Sequence, residues 1–309
     1  MDSARFQQAL AAFRQEQWSQ ASAAFTTLYQ AQQTAELNRY LATSLYRDQQ
    51  FLAAEQIAAE NDRAYLINQE WFTQRLAIAL KNQQFIFARQ WCALPQAQAW
   101  KAAGLAQIET AEEQSRRTLG ATQRVIAKQF YHLGDTELGE QRRRIERAHQ
   151  LPLREFLRGV QYLLVDPFLH PLLRATLLEE LSRLRLTTTV KLQWLDDQIY
   201  PIETAHLDSV TASPAAQAAL NYLTVQLAQS NPGLMANVRQ TLNLQLMLLY
   251  PFADRVVTAP EVWIDELIGR PVQTGISSAQ EKYVKTWQKR LGKLLQELFT
   301  AINNEKPEN

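Results

Sequence analysis

Three stretches decide how this sequence is read: Gln15-Glu16-Gln17-Trp18-Ser19-Gln20-Ala21, Asp48-Gln49-Gln50-Phe51-Leu52-Ala53-Ala54 and Asn82-Gln83-Gln84-Phe85-Ile86-Phe87-Ala88. Each is a polar turn, an aromatic residue, and an alanine three positions on. Trp18, Phe51 and Phe85 stand 33 and 34 residues apart, a spacing at which helical repeats are built. Four residues beyond each alanine comes Phe25, Ala58 or Cys92, all suited to a core. The pattern predicts helix pairs joined by a short turn, the aromatic closing the seam and the alanine letting the backbones approach. One pair cannot bury its apolar face alone, so neighbouring pairs must stack. The preceding helices fit as well, because Phe6, Leu10 and Phe13, and again Leu37, Leu41 and Leu45, fall on one face at helical spacing.

In this turn-aromatic-x-x-Ala pattern the chain resembles the tetratricopeptide repeat family over roughly residues 3 to 95. A fourth, degenerate copy is read at Leu133-Gly134-Asp135-Thr136-Glu137-Leu138-Gly139, with Gly139 in place of the small alanine. Phe85 and Thr136 are 51 residues apart, so about 17 extra residues intervene, predicting an additional helix within Gln98 to Arg117. The resemblance implies an all-α protein: a superhelix of antiparallel helix pairs over residues 1–150, then a helical unit over 151–303 with a small β-hairpin near 188–202. The polar tail 304–309 is expected to fray.

Composition supports a helical chain without pointing to a ligand. Lys plus Arg is 32 and Asp plus Glu is 31, which gives no broad attraction to nucleic acid or anionic membrane. Nine glycines and eleven prolines among 309 residues leave helix formers dominant. The single cysteine, Cys92, can form neither an internal disulfide nor a multi-thiolate site, which suits a reducing compartment. No basic segment followed by an apolar run opens the chain, so no signal peptide is read and the cytoplasm is expected. The longest apolar stretch, Leu242 to Tyr250, is short and broken by Asn243 and Gln245, so no membrane span is expected.

Past residue 150 the repeat fades. A helix is expected over Leu153 to Val165, stopped at Asp166-Pro167, because proline disfavours helical backbone in the residue before it. An amphipathic helix follows over Leu172 to Arg185. Thr187 to Leu195, the turn Asp196-Asp197-Gln198 and Ile199 to Ile202 read as a hairpin. Ser213 before Pro214 and Asn231 before Pro232 mark helix starts, giving helices to Gln229 and Leu249. A short helix is expected over Glu261 to Ile268. The last helix, Ser278 to Asn303, would present Tyr283, Trp287, Leu291, Leu294, Leu298 and Ile302 on one face. The segments around Asp166 to Pro171, Asn231 to Gly233 and Leu248 to Phe252 are similar to the C-terminal region of a group of uncharacterised tetratricopeptide proteins of Gram-positive bacteria, which implies a fold and no activity.

No catalytic motif is present. Neither a Gly-rich phosphate loop nor HExxH nor Gly-x-Ser-x-Gly occurs, so no enzyme, cofactor or metal is expected. Asp166 with His170 is the most suggestive pair. It could serve metal or proton transfer, yet two residues lack the further ligands a metal needs, and a local cap is the preferred reading. Cys92 reads as a buried, inert thiol. Glu112-Glu113 and Glu179-Glu180 read as solvated helix faces.

The family resemblance implies a concave groove lined by the first helix of each pair. In the repeat register the last exposed positions of those helices are Arg14, Arg47, Lys81 and His132, with Arg39, Arg124 and Lys128 facing the same groove and Tyr46 and Phe13 beside them. Such a column of cations could clamp an acidic peptide segment; the plainer account is a solvated helix end, where cations suit the macrodipole. The expected function is therefore a scaffold or adaptor for a protein or peptide partner. The C-terminal unit would cap the stack and offers a surface for self-association. A nucleic-acid partner is not expected, although an RNA- or ribosome-associated repeat using Arg142-Arg143-Arg144 and Arg147 is the main rival, and a hydrolase around Asp166 and His170 is a third reading.

Overall fold

The computed structural model describes residues 3–271 and 277–304, with side chains described for 4–271 and 277–300. Among the described residues the chain forms fifteen α-helices and one two-stranded antiparallel sheet. It divides into two compact units. The first is the chain up to Ile126 together with Arg147–Phe156; the second is Ala127–Glu146 with the chain from Leu157 onward.

In the first unit, α1 (Ser3–Arg14), α2 (Trp18–Ala31), α3 (Ala35–Arg47), α4 (Phe51–Ala59), α5 (Gln69–Lys81) and α6 (Phe85–Cys92) each pack on the next in sequence. Three of the connections are the same turn. Glu16, Gln49 and Gln83 have φ of 56°, 61° and 59°. After each, the amide of Gln17, Gln50 or Gln84 donates to the carbonyl of Ala12, Leu45 or Ala79 at 3.0, 2.9 and 2.9 Å, and the preceding amide donates to Phe13, Tyr46 or Leu80. A left-handed residue closing both bonds is the Schellman ending of a helix, here repeated at intervals of 33 and 34 residues. Trp18, Phe51 and Phe85 then open α2, α4 and α6. Ala21, Ala54 and Ala88, with Phe25, Ala58 and Cys92 a turn further on, are all 0% exposed. Phe85 is buried as well, whereas Trp18 and Phe51 are half-buried.

Left-handed backbone costs a residue with a Cβ about 1 kcal/mol or more, while glycine adds flexibility to the unfolded chain. The triple variant Glu16→Gly/Gln49→Gly/Gln83→Gly should therefore raise the unfolding free energy by roughly 1 to 2 kcal/mol. Urea denaturation measures this, and three unequal or opposite single-site effects would show that the turns are not equivalent.

The fourth copy does not repeat this geometry. Helix α7 (Lys101–Tyr131) is one long segment with a break at Leu119, where φ is −121° and ψ 18°; the expected extra helix is its front part. The next helix, α8 (Leu138–Ala148), begins two residues after Thr136, and none of residues 132–139 has positive φ. Gly139 is half-buried, not a seam residue. With no aromatic at the turn to close a seam, the local sequence builds a different connection. Ala127–Glu146, expected with the repeats, groups with the second unit.

Beyond it lie α9 (Leu153–Leu163), α10 (Pro171–Leu184), β1 (Thr189–Gln193), β2 (Ile199–Glu203), α11 (Pro214–Leu227), α12 (Pro232–Leu249), α13 (Ala253–Val256), α14 (Pro260–Ile268) and α15 (Ser278–Asn304). The caps follow sequence: Ser213 Oγ accepts from Ala216 N at 3.3 Å and Asn231 Oδ1 from Leu234 N at 3.0 Å. The hairpin pairs Thr189 with Glu203 through Gln193 with Ile199. In α9, a Cβ on Gly159 would meet the ring of buried Phe130 at 2.4 Å, so close packing demands glycine there. Helix α15 turns a slightly different face inward than expected. Val284, Leu291, Leu295 and Leu298 are buried, Trp287 and Leu294 are half-buried, and Tyr283 is 39% exposed, because α15 packs on α12 and α14. The Ile302 side chain and residues 305–309 lie outside the described residues.

Candidate functional site

A cavity of about 1010 Å³ opens on the first unit, and the first helices of the three pairs line it. Helix α1 supplies Leu10, Phe13 and Arg14; α3 supplies Tyr40, Thr43, Tyr46 and Arg47; α5 supplies Gln69, Glu70, Trp71, Thr73, Gln74 and Ala77; Trp18 comes from α2. The α3 residues Tyr40, Thr43 and Arg47 stand three and four positions apart, and on α5 Gln74 stands four after Glu70, three after Trp71 and three before Ala77, which puts each set on one helix face.

The rings form a connected belt. Phe13 meets Trp18 edge-on at 5.3 Å and Tyr40 at 5.2 Å, Tyr40 stacks on Phe25 at 5.3 Å, and Tyr40 meets Trp71 edge-on at 5.7 Å. Arg47 lies over the Trp18 ring at 5.9 Å. Among the described residues, Arg14 and Arg47 have no carboxylate within ion-pair distance, and both are exposed. They end α1 and α3, whereas Glu70 stands in the first turn of α5. Both signs of charge thus border an aromatic floor.

Of the residues singled out from sequence, the cavity gathers Arg14, Tyr46 and Arg47, with Phe13 beside them. The others are elsewhere. Arg39 donates from Nη1 to the Ala64 carbonyl at 3.0 Å and covers Trp71 at 5.2 Å, so it packs α3 onto its neighbours. Lys81 sits over the Phe51 ring at 4.8 Å. Arg124 is exposed on α7, and Lys128 and His132 belong to the second unit, where His132 pairs with Asp135 at 3.0 Å. Tyr40, Thr43, Trp71 and Gln74 are lining residues that sequence reasoning misses; Thr43 lies one helical turn before Arg47, whereas Trp71 and Gln74 stand ten and seven residues before Lys81, the α5 residue it names.

The remaining candidates are engaged locally. The His170 side chain caps α10, Nδ1 accepting from Leu172 N at 3.2 Å, while Nε2 meets the Leu294 carbonyl at 3.2 Å. That arrangement requires the proton on Nε2, and burial lowers the imidazole pKa. Asp166 accepts from the Phe168 amide at 3.0 Å, and no hydrogen bond joins it to His170 among the described residues. Burial pushes the Cys92 thiol up to about 11 against the pull of Arg89 and Lys101. In α8, Arg142 pairs with Glu146, and Arg143 and Arg144 with Glu140. Two of the expected solvated acids are not solvated. Glu112 is 3% and Glu180 8% exposed, while Glu113 is exposed and Glu179 pairs with Arg183 at 2.9 Å. Among the described residues no group of three or more His, Cys, Asp or Glu could hold a metal, and no helix is long and apolar enough to cross a membrane. Comparison with models of known families, with curated proteins and with solved structures finds no match to this chain.

Proposed function

We propose that the chain is a helical-repeat adaptor of tetratricopeptide type, whose first unit holds a protein segment in the α1–α3–α5 cavity. The observation that carries this is the lining itself: equivalent helices of three pairs present four aromatic rings, with Trp18 of α2 as a fifth, and two cations that have no carboxylate partner among the described residues, to a single open cavity. Aromatic floors with flanking Arg are the composition of protein-binding hot spots, and free guanidinium groups take carboxylates in fork geometry. A segment carrying an acidic residue beside an apolar one fits both features.

Peptides displayed on phage and selected against the full chain test this reading. Enriched sequences should combine Asp or Glu with an apolar residue. Their affinity should fall roughly tenfold or more in Arg14→Glu/Arg47→Glu, since like charges now face the acid. Helical circular dichroism should stay as in the wild type because both positions are exposed. Failure to enrich any peptide, or equal binding by the double variant, would overturn the proposal.

A further inference from the structure

Among the described residues, seven buried side-chain nitrogen or oxygen atoms lack a hydrogen-bond partner, and two of them, Thr43 Oγ1 and Gln74 Nε2, belong to residues lining the cavity. Thr43 is only 6% exposed. Buried polar groups are nearly always paired, and one left unpaired calls for an explanation. A hydroxyl within a helix can bond the carbonyl four residues back, as Ser44 does to Tyr40 at 2.8 Å; its neighbour Thr43 does not.

We infer that Thr43 and Gln74 hold the main chain of the bound segment: Gln74 Nε2 donates to a peptide carbonyl, Thr43 Oγ1 pairs with a peptide amide, and an aromatic side chain of the segment rests against Tyr40 and Trp71. The inference rests on the protein-segment reading above and names what the centre of the groove recognises. Chemistry selects the ligand. A primary amide donor and a neutral hydroxyl beside aromatic rings match an uncharged amide better than an anion, because neither group carries a charge to offset the anion's desolvation. Charge is read separately, by Arg14 and Arg47 at the helix ends. Both polar atoms are shielded in the free protein, so binding includes a rotamer change at Thr43 and Gln74, an ordinary side-chain rearrangement on complex formation.

N-acetyltryptophanamide is a suitable probe, because it carries two main-chain amides, an indole and no charge. 3-Methylindole has the ring alone. In NMR titrations of the full chain, N-acetyltryptophanamide should shift the Gln74 side-chain amide and the Trp71 indole N–H resonances. Thr43→Val and Gln74→Leu should each weaken it by roughly threefold or more, and neither should change binding of 3-methylindole. Thr43→Val should also raise the melting temperature, because it replaces an unpaired buried hydroxyl with a methyl of the same shape. Higher stability with weaker binding is a combination that a purely structural Thr43 does not produce. The inference fails if the wild type leaves these resonances unmoved, if the variants bind N-acetyltryptophanamide normally, if 3-methylindole binds as tightly, or if Thr43→Val is not stabilised. In those cases, peptides whose binding depends on Arg14 and Arg47 would leave the groove reading standing; without such peptides both fall.

Discussion

Replacing Arg75 with alanine should lower the unfolding free energy by about 3 to 5 kcal/mol, as expected when one member of a buried ion network is removed. Arg75 is 1% exposed and sits among the apolar residues of α5. Its guanidinium is bound by Glu55 in fork geometry at 2.9 and 2.7 Å and by Asp62 at 2.7 Å, and it lies over the Phe87 ring at 4.3 Å. Burial alone would lower its pKa, but Glu55 and Asp62 outweigh this and raise it. The charge therefore stays. Truncation removes the cation that Glu55 and Asp62 share and opens a side-chain-sized hole, and both effects act in the same direction. Replacing the whole network, as in Arg75→Met/Glu55→Leu/Asp62→Asn, should recover most of the loss, because no unpaired charge then remains at the three positions. Urea denaturation followed by circular dichroism separates these cases. An Arg75→Ala protein within about 1 kcal/mol of wild type would mean that the site relaxes to let water in.

How much of this is legible in the sequence depends on the range of the interaction. The turns at Glu16, Gln49 and Gln83 are legible because a polar turn, an aromatic and an alanine are local, and three copies reinforce one another. The helix starts at Ser213 and Asn231 are legible for the same reason: a capping side chain and a proline act within one turn. The copy at Thr136 misleads because a polar turn and the small Gly139 suggest it, while the aromatic is missing and the 51-residue spacing breaks the period. Arg75 is in principle visible, since it falls between Phe72 and Leu76 on the apolar stripe of α5, but its partners Glu55 and Asp62 come from other elements and no local rule points to them. The cavity is half legible. Counting to the end of each first helix finds Arg14 and Arg47 but also takes in Lys81, which packs on Phe51. Arg47 likewise lies over Trp18, so a ring beneath the cation does not separate the two; whether such a position lines the cavity depends on the helices beside it, about one repeat period away in sequence. Thr43 is hidden for a similar reason. A threonine within a helix carries no mark of whether its hydroxyl finds a partner.

Glu112 shows the same limit at the far end of the first unit, and it sets the second large effect. It stands on a stretch of α7 that looks solvated, next to Glu113, which is exposed. Yet its side chain is 4% exposed. Oε1 accepts from Arg89 Nε at 2.8 Å and from the Leu153 amide at 3.0 Å, and Oε2 accepts from Arg89 Nη2 at 2.9 Å. Leu153 opens α9, so this carboxylate, 41 residues earlier in sequence, satisfies one of the free amides of a helix start and places negative charge at the positive end of its dipole. Glu112→Ala removes both functions and strands the Arg89 side chain, which is only 11% exposed. The expected cost is about 3 to 5 kcal/mol. Glu112→Gln keeps an acceptor for Leu153 but gives up the charge and one fork bond, for about 1.5 to 3 kcal/mol. Glu113→Ala, whose partners Arg116 and Arg117 are more exposed, should stay within about 0.5 kcal/mol of wild type. A buried cap requires the urea midpoint to be lowest for Glu112→Ala, intermediate for Glu112→Gln and nearest wild type for Glu113→Ala. Three equal midpoints would mean that Glu112 is no more than one of the surface charges it resembles in sequence.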